Sequence, residues 1–260
     1  MRLKEALEIK PGEVISLVGG GGKTTLMFAL ARELASDNSC VLTTTTTKIF
    51  EPLPSQTPFL LLEAAEEKMV KTLVQNMDRY RHITLARERL PSGKLEGISP
   101  DLVVRLARLE RVSCIIVEAD GANQRSLKAP NPTEPVIPNN TSLLIPVVGV
   151  DAVGCRLTEE NVFRSEIASE LIGLPPGEVI SAESIAFLIT HHQGIIKGSP
   201  HGARIIPFIN KVDLDKGLSL GRDLADKILA VKHPRIKRVI LGQVQSPEPV
   251  VEVIQGRFNG

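Results

Sequence analysis

The chain has 260 residues, with 31 Lys and Arg against 30 Asp and Glu, a formal net charge of +1. That balance supplies no broad field for nucleic acid or an acidic membrane, and 42% hydrophobic with 23% charged residues is a globular composition. The apolar runs are strand-sized and fall short of a membrane span, and "MRLKEALEIKPGEV" lacks the apolar centre of a secretion signal. Cys40, Cys114 and Cys155 form no CxxC pair, so the expectation is a reduced, cytoplasmic protein with neither a nucleic-acid nor a membrane partner.

In chain order, "EVISLV" (13–18) is a short apolar run ending in glycines and reads as a buried strand. "TTLMFALARELAS" (24–36) predicts a buried helix, and the β-branched "CVLTTTTTKI" (40–49) a second strand. Met69, Val70, Leu73, Val74 and Met77 fall at helical spacing. Ser99, Pro100 and Asp101 form a helix start, and "SCIIVEADGA" (113–122) is a buried strand that ends in acids and glycine. After the proline-rich "LKAPNPTEPVIPNN" come a strand at 142–150, a helix from Thr158 to Gly173 and a short helix from Ser181. "ARIIPFINKVD" predicts a strand, "LGRDLADKILAV" a helix, and "IKRVILGQV" the last strand. Strand and helix alternate, so the expected fold is α/β, with a mostly parallel central sheet covered on both faces, in a single domain over 1–260.

"LVGGGGKTTL" places four glycines between a strand and a helix. The dinucleotide pattern G-x-G-x-x-G fails in either register, because its last position falls on Thr24 or Thr25. The phosphate-loop pattern G-x-x-x-x-G-K-[ST] fits Gly22, Lys23 and Thr24, with Leu17 in place of its first glycine. Gly19, Gly20, Gly21 and Gly22 would let backbone N–H groups converge on phosphate oxygens beside the helix start that holds Thr25. Lys23 would neutralise the β and γ phosphates, and the Thr24 hydroxyl would ligate Mg²⁺.

Three further stretches fit that reading. A strand-end carboxylate would hold Mg²⁺ through water, and Asp120, before Gly121, is the first choice with Glu118 as competitor. "FINKVD" carries the N-K-x-D arrangement that selects guanine, in which Asp213 accepts from the base N1–H and amino group. Lys211 would lie along the base, and Asn210 would tie loops together. "TTTTTK" (43–48) stands where the phosphates of such folds lie, so Thr46 or Thr47 would see the γ-phosphate and Lys48 would add a second charge. Within residues 119–141, Arg125, Lys128 and Glu134 are candidates for the phosphates or a second substrate. Asp151 is expected near the strand ends, whereas His191, His192 and Cys155 carry no convincing metal pattern.

The glycine loop with "KTT", "TTTTTKI", "EADGA", "LKAP", "EPVIP" and "GVDAVG" together resemble the selenium-dependent hydroxylase accessory proteins of the YqeC family, from about residue 5 to about residue 245. The resemblance implies a three-layer phosphate-loop NTPase-like fold, bacterial and cytoplasmic, and a role in maturing selenium-dependent molybdenum hydroxylases. It also implies a homodimer, with the hydroxylase or its cofactor-maturation proteins as partners. MinD-like relatives of that fold carry a second lysine where this chain has Val18, and Lys48 or Lys128 is a candidate substitute.

The function expected from these readings is Mg²⁺-dependent binding of nucleotide, GTP ahead of ATP, with slow hydrolysis driving a switch at Asp120–Gly121 and Thr43–Lys48. Lys23, Asp120 and Lys48 are its candidate catalytic residues. Two alternatives stay open: a small-molecule kinase using the same loop, and a nucleotide-binding module without turnover. No general base for water stands out, and Gln124 is only a weak candidate.

Overall fold

The computed structural model describes residues 1–35 and 40–256. A short helix α1 (Leu3–Ala6) precedes β1 (Glu13–Gly19), which passes through the glycines into α2 (Lys23–Ala35); Ser36, the expected end of that helix, lies outside the described residues. The expected strand over 40–49 is two strands, β2 (Cys40–Thr45) and β3 (Lys48–Phe50), because the chain turns at Thr46 and Thr47. The chain continues with β4 (Leu60–Leu62), α3 (Glu66–Asn76), β5 (His82–Ala86), β6 (Lys94–Glu96) and α4 (Pro100–Leu106), where the Ser99 hydroxyl caps by accepting from the Leu102 N–H at 3.1 Å.

Next come β7 (Val112–Glu118), the two-residue β8 (Leu127–Lys128), β9 (Leu143–Gly149), a single 3₁₀ turn (Val150–Ala152) and β10 (Val162–Phe163). The helix expected from Thr158 begins later, as α5 (Ser165–Ile172). Glu159 does not open it from within. Its carboxylate folds forward to accept from the N–H groups of Arg164 and Ser165, at 3.2 and 2.6 Å. Then follow α6 (Ala182–Thr190), β11 (Arg204–Ile205), β12 (Phe208–Asn210), α7 (Gly217–Ala230), β13 (Arg238–Gly242) and β14 (Val250–Gln255). The expected last strand is therefore the penultimate one.

Among the described residues, ten strands form one sheet in the order β14-β13-β12-β9-β1-β7-β2-β5-β4, with β11 also beside β9. Every pairing in it is parallel except β13 with β14. Burial on both faces explains the near-continuous apolar strands. Along β1, Ile15 and Leu17 point to the face covered by α1 and α2, while Val14 and Val18 point to the face covered by α3 to α7. These layers make a three-layer α/β fold of the phosphate-loop NTPase-like kind. Cys40 and Cys114 are core residues. Among the described residues, no helix is long and apolar enough to cross a membrane.

Candidate functional site

The strand order sets the site. β1 lies between β7 and β9, so the glycine loop emerges between the ends of both, and β12 follows beyond β9. Leu17 pairs with Glu118, Thr45 pairs with Glu118 from the other side, and Asn210 pairs with Gly149. The loops after these strands, carrying Gly19–Gly22, Glu118–Gly121, Thr46–Lys48, Asp151 and Lys211–Asp213, thus meet at the carboxyl edge of the sheet, where open α/β sheets take their ligands.

The glycine loop is held by its own backbone donors. The Gly19 N–H donates to Asp120 Oδ2 at 3.0 Å, Gly20 to the Val147 carbonyl at 2.8 Å, and Gly21 to the Arg125 carbonyl at 2.9 Å. Among the described residues, the donors left over are those of Gly22 and the first turn of α2, whose first ladder bond runs from the Leu26 N–H to the Gly22 carbonyl. Gly21 has φ +72, and a Cβ there would overlap the Gly149 backbone. The glycines are thus required by close packing as well as by turning.

Behind the loop is a buried set of charges. Lys23 Nζ donates to the Gly19 carbonyl at 2.6 Å and lies 3.2 Å from Asp120 Oδ1 and 3.8 Å from Glu118 Oε1. Lys128 Nζ lies 3.1 Å from Asp120 Oδ2 and 2.9 Å from Glu134 Oε2, and Arg164 reaches the same Glu134 oxygen at 2.6 Å. The cations Lys23, Lys128 and Arg164 balance the anions Glu118, Asp120 and Glu134. Burial works to lower the pKa of the Lys23 ammonium, but Asp120 and Glu118 outweigh it and hold the pKa above its ordinary value. Burial raises the Glu118 carboxyl against the opposing pull of Lys23 and Thr24. At Glu134 burial acts upward, and the hydrogen bonds from Arg164 and Lys128 overcome it and lower the carboxyl.

Asp120 and Glu118 differ in what they face. Asp120 Oδ2 is committed to the Gly19 N–H and Lys128, while its buried Oδ1 is ion-paired with Lys23 but accepts no hydrogen bond among the described residues; the residue lines no hollow of the site. Glu118 accepts from the Thr24 hydroxyl at 2.6 Å and lines the hollow in front of the loop. Among the described residues no group of three or more His, Cys, Asp or Glu side chains could hold a metal unaided. The hydroxyl and carboxylate oxygens of Thr24 and Glu118 do suit a hard Mg²⁺ ion completed by phosphates and water. Lys128 is fully buried with its ammonium turned inward, so its geometry does not suit a lysine reaching across a dimer.

Two hollows meet at the loop. One of about 420 Å³ is lined by Gly21 to Thr25, Lys48, Lys94 and Glu118. The other, about 340 Å³, is a recess walled by Asp151, Asn210, Lys211, Asp213 and the segment Gln243–Gln245. They share Gly21, Gly22, Thr25, Lys211 and Gln245. Asn210 joins the walls, donating from Nδ2 to the Gly21 carbonyl at 2.7 Å and accepting from the Val244 N–H at 3.0 Å. Lys211 adopts φ +66 and donates to Ser126 Oγ at 2.7 Å and Asp151 Oδ2 at 2.8 Å, while Asp213 is exposed in the recess.

Thr46 and Thr47 do not line the 420 Å³ hollow, although Lys48 does. Both threonines line a larger neighbour of about 820 Å³, together with Arg87, Lys94, Phe163 and Arg164. Gln245, Lys94, Arg87 and Arg164 were not singled out by motif. The turn "PSGK", with Gly93 at φ +75, was the available sign of the hairpin that folds β6 back onto residues 87–90 and so brings Lys94 in, with β3 pairing on β6's other side. His191 and His192 stand at the end of α6 with ring centroids 4.3 Å apart, away from these hollows. Cys155 Sγ donates to the Asp151 carbonyl at 3.0 Å.

Comparison with known proteins agrees with the motifs that meet here. Residues 15–166 match the family described as YqeC protein, a span that takes in the glycine loop, Thr43–Lys48, Glu118–Gly121 and Glu134. The uncharacterized protein YqeC of Escherichia coli (strain K12) is 34% identical over 198 residues, covering 76% of this chain and 75% of that protein. On both grounds, the chain belongs to the YqeC family.

Proposed function

We propose that this protein binds Mg²⁺–nucleotide at the glycine loop, prefers GTP, and uses slow hydrolysis as a switch in the maturation of selenium-dependent molybdenum hydroxylases. The observation that carries the nucleotide reading is the junction at Gly21, Gly22, Thr25, Lys211 and Gln245. There the hollow of about 420 Å³ in front of the glycine loop opens into a recess holding the Asn210-Lys211-x-Asp213 loop. The maturation role is supported by the family resemblance alone.

In this reading the free N–H groups of Gly22 and the start of α2, with the Lys23 ammonium, receive the phosphates. Mg²⁺ would be held by Thr24 and Glu118, and when bound it neutralises charge on the phosphate oxygens. Glu118 is preferred to Asp120 because Asp120 is already engaged in holding the loop. Asp213 accepts from guanine N1–H and N2–H, a donor pair that adenine does not present on that edge. Lys211 is fixed by Asp151 and Ser126, so its stem forms a wall of the recess.

Calorimetric titration with GTP and ATP in excess Mg²⁺ tests this directly. GTP is expected to bind at least about tenfold tighter than ATP, and Asp213→Asn to remove most of that margin. Equal affinity for both nucleotides, unchanged by Asp213→Asn, would show that Asp213 does not read guanine. No heat with either would end the nucleotide reading.

A further inference from the structure

We infer that the 820 Å³ hollow beside the glycine loop is a second ligand site, for a small molecule carrying a phosphate or carboxylate group, bound against the nucleotide's terminal phosphate. The inference rests on the nucleotide reading for its orientation, but on its own residues for the ligand's chemistry.

The three hollows lie in a row. The base recess joins the phosphate hollow through Gly21, Gly22, Thr25, Lys211 and Gln245. At its far end the phosphate hollow joins the large one through Lys48, Lys94, Gly121 and Asn123. A nucleotide seated with its base by Asp213 and its phosphates by Lys23 therefore directs its terminal phosphate at the large hollow. Positioning a single attacking water needs only about 30 Å³. A space of about 820 Å³ is in the range that takes a metabolite.

Charge says what kind of metabolite. Lys48, Arg87, Lys94 and Arg164 face Glu66, Glu96 and Glu134 around the hollow, four cations to three anions. Two of the acids are already served. Glu134 is held by Lys128 and Arg164, and Glu66 accepts from Ser99 and Arg105. Glu96 is only 3.9 Å from Arg87. Among the described residues Lys48 and Lys94 have no carboxylate partner, and Lys94 rests over the Phe50 ring at 4.9 Å. These two lysines are the cations shared with the phosphate hollow, so the surplus positive charge sits at the junction. Anionic oxygen is the chemistry that satisfies it.

The test loads the full chain with Mg²⁺ and a non-hydrolysable GTP analogue, then titrates inorganic phosphate and, separately, succinate. At least one should bind at one per chain without displacing the analogue. Arg87→Gln, which lines only the large hollow, should weaken that binding tenfold or more with analogue affinity unchanged. Lys94→Gln should weaken it too. Which probe binds separates a phosphate ligand from a carboxylate one. The inference fails if neither binds, if the probe displaces the analogue, or if Arg87→Gln changes nothing. Should the analogue itself not bind, the nucleotide reading is what has failed. Phosphate is then titrated against the unloaded chain: dependence on Arg87 keeps the second site, and dependence on Lys23 alone removes it.

Discussion

Lys128 Nζ stands 3.1 Å from Asp120 Oδ2, and neither side chain reaches solvent. Because the same Asp120 oxygen accepts from the Gly19 N–H, the lysine links the proline-rich segment to the glycine loop through one carboxylate. Removing one partner of a buried set leaves its counter-charges uncompensated. Lys128→Met should lower the unfolding free energy by about 3–5 kcal/mol in urea denaturation. The double variant Lys128→Met/Glu134→Gln, which also removes one of the stranded anions, should recover part of it. A loss below about 1 kcal/mol would show that the link is not structural.

Gly21 and Gly121 give opposite expectations for the same substitution. Gly21→Ala forces a left-handed backbone on alanine and drives its Cβ into Gly149, so stability should fall by about 2 kcal/mol or more. Gly121 has open space at its Cβ position and no positive φ, so Gly121→Ala should stay within about 0.5 kcal/mol. Thermal melts of both variants check the pair. If Gly121→Ala keeps its stability but slows nucleotide turnover, the Asp120–Gly121 switch gains direct support.

His82 predicts a sensitivity to acid. Its Nε2 meets Thr43 Oγ1 at 2.9 Å, in a buried chain of hydroxyls running on to Thr84 and Thr57. Burial lowers the imidazole pKa from 6.5 to about 4. The unfolded chain takes up a proton here near pH 6.5, and the folded chain refuses it until about pH 4. Stability from this source is therefore complete above pH 6.5 and is lost as pH falls toward 4, by on the order of 3 kcal/mol. His82→Gln should flatten that part of the stability profile. An unaltered slope would assign the acid sensitivity elsewhere.

The same residues show why β5 was not legible in the sequence. "HITLA" is entirely buried, yet His82 and Thr84 interrupt its apolar run, and only the partner hydroxyls from β2 and Thr57 make their burial tolerable. β1, β2, β7 and β9 were readable because both of their faces are covered and their side chains are nearly all apolar or β-branched. Thr158 and the acids at 159 and 160 misled because Glu159 caps α5 across a turn instead of from its first residues. In the site, the glycine loop and the Asn210–Asp213 loop were visible as motifs. The division of labour between Glu118 and Asp120 was not, since it depends on which strand register puts each carboxylate beside Thr24 or Gly19. Lys94 and Arg87 carry no motif, and it is the hairpin of residues 87–90 with β6 that brings them to the site.

The internal hydrogen bonds of Gly19, Gly20 and Gly21 bear on how fast and how tightly anything can bind there. A loop that already spends three N–H groups on its own scaffold has little conformational entropy left to lose, so a ligand meets a preorganised receptor. Association should then be a single fast phase whose rate rises in proportion to ligand concentration, without the plateau left by a slow ordering step. Differences among ligands would appear in how long each one stays.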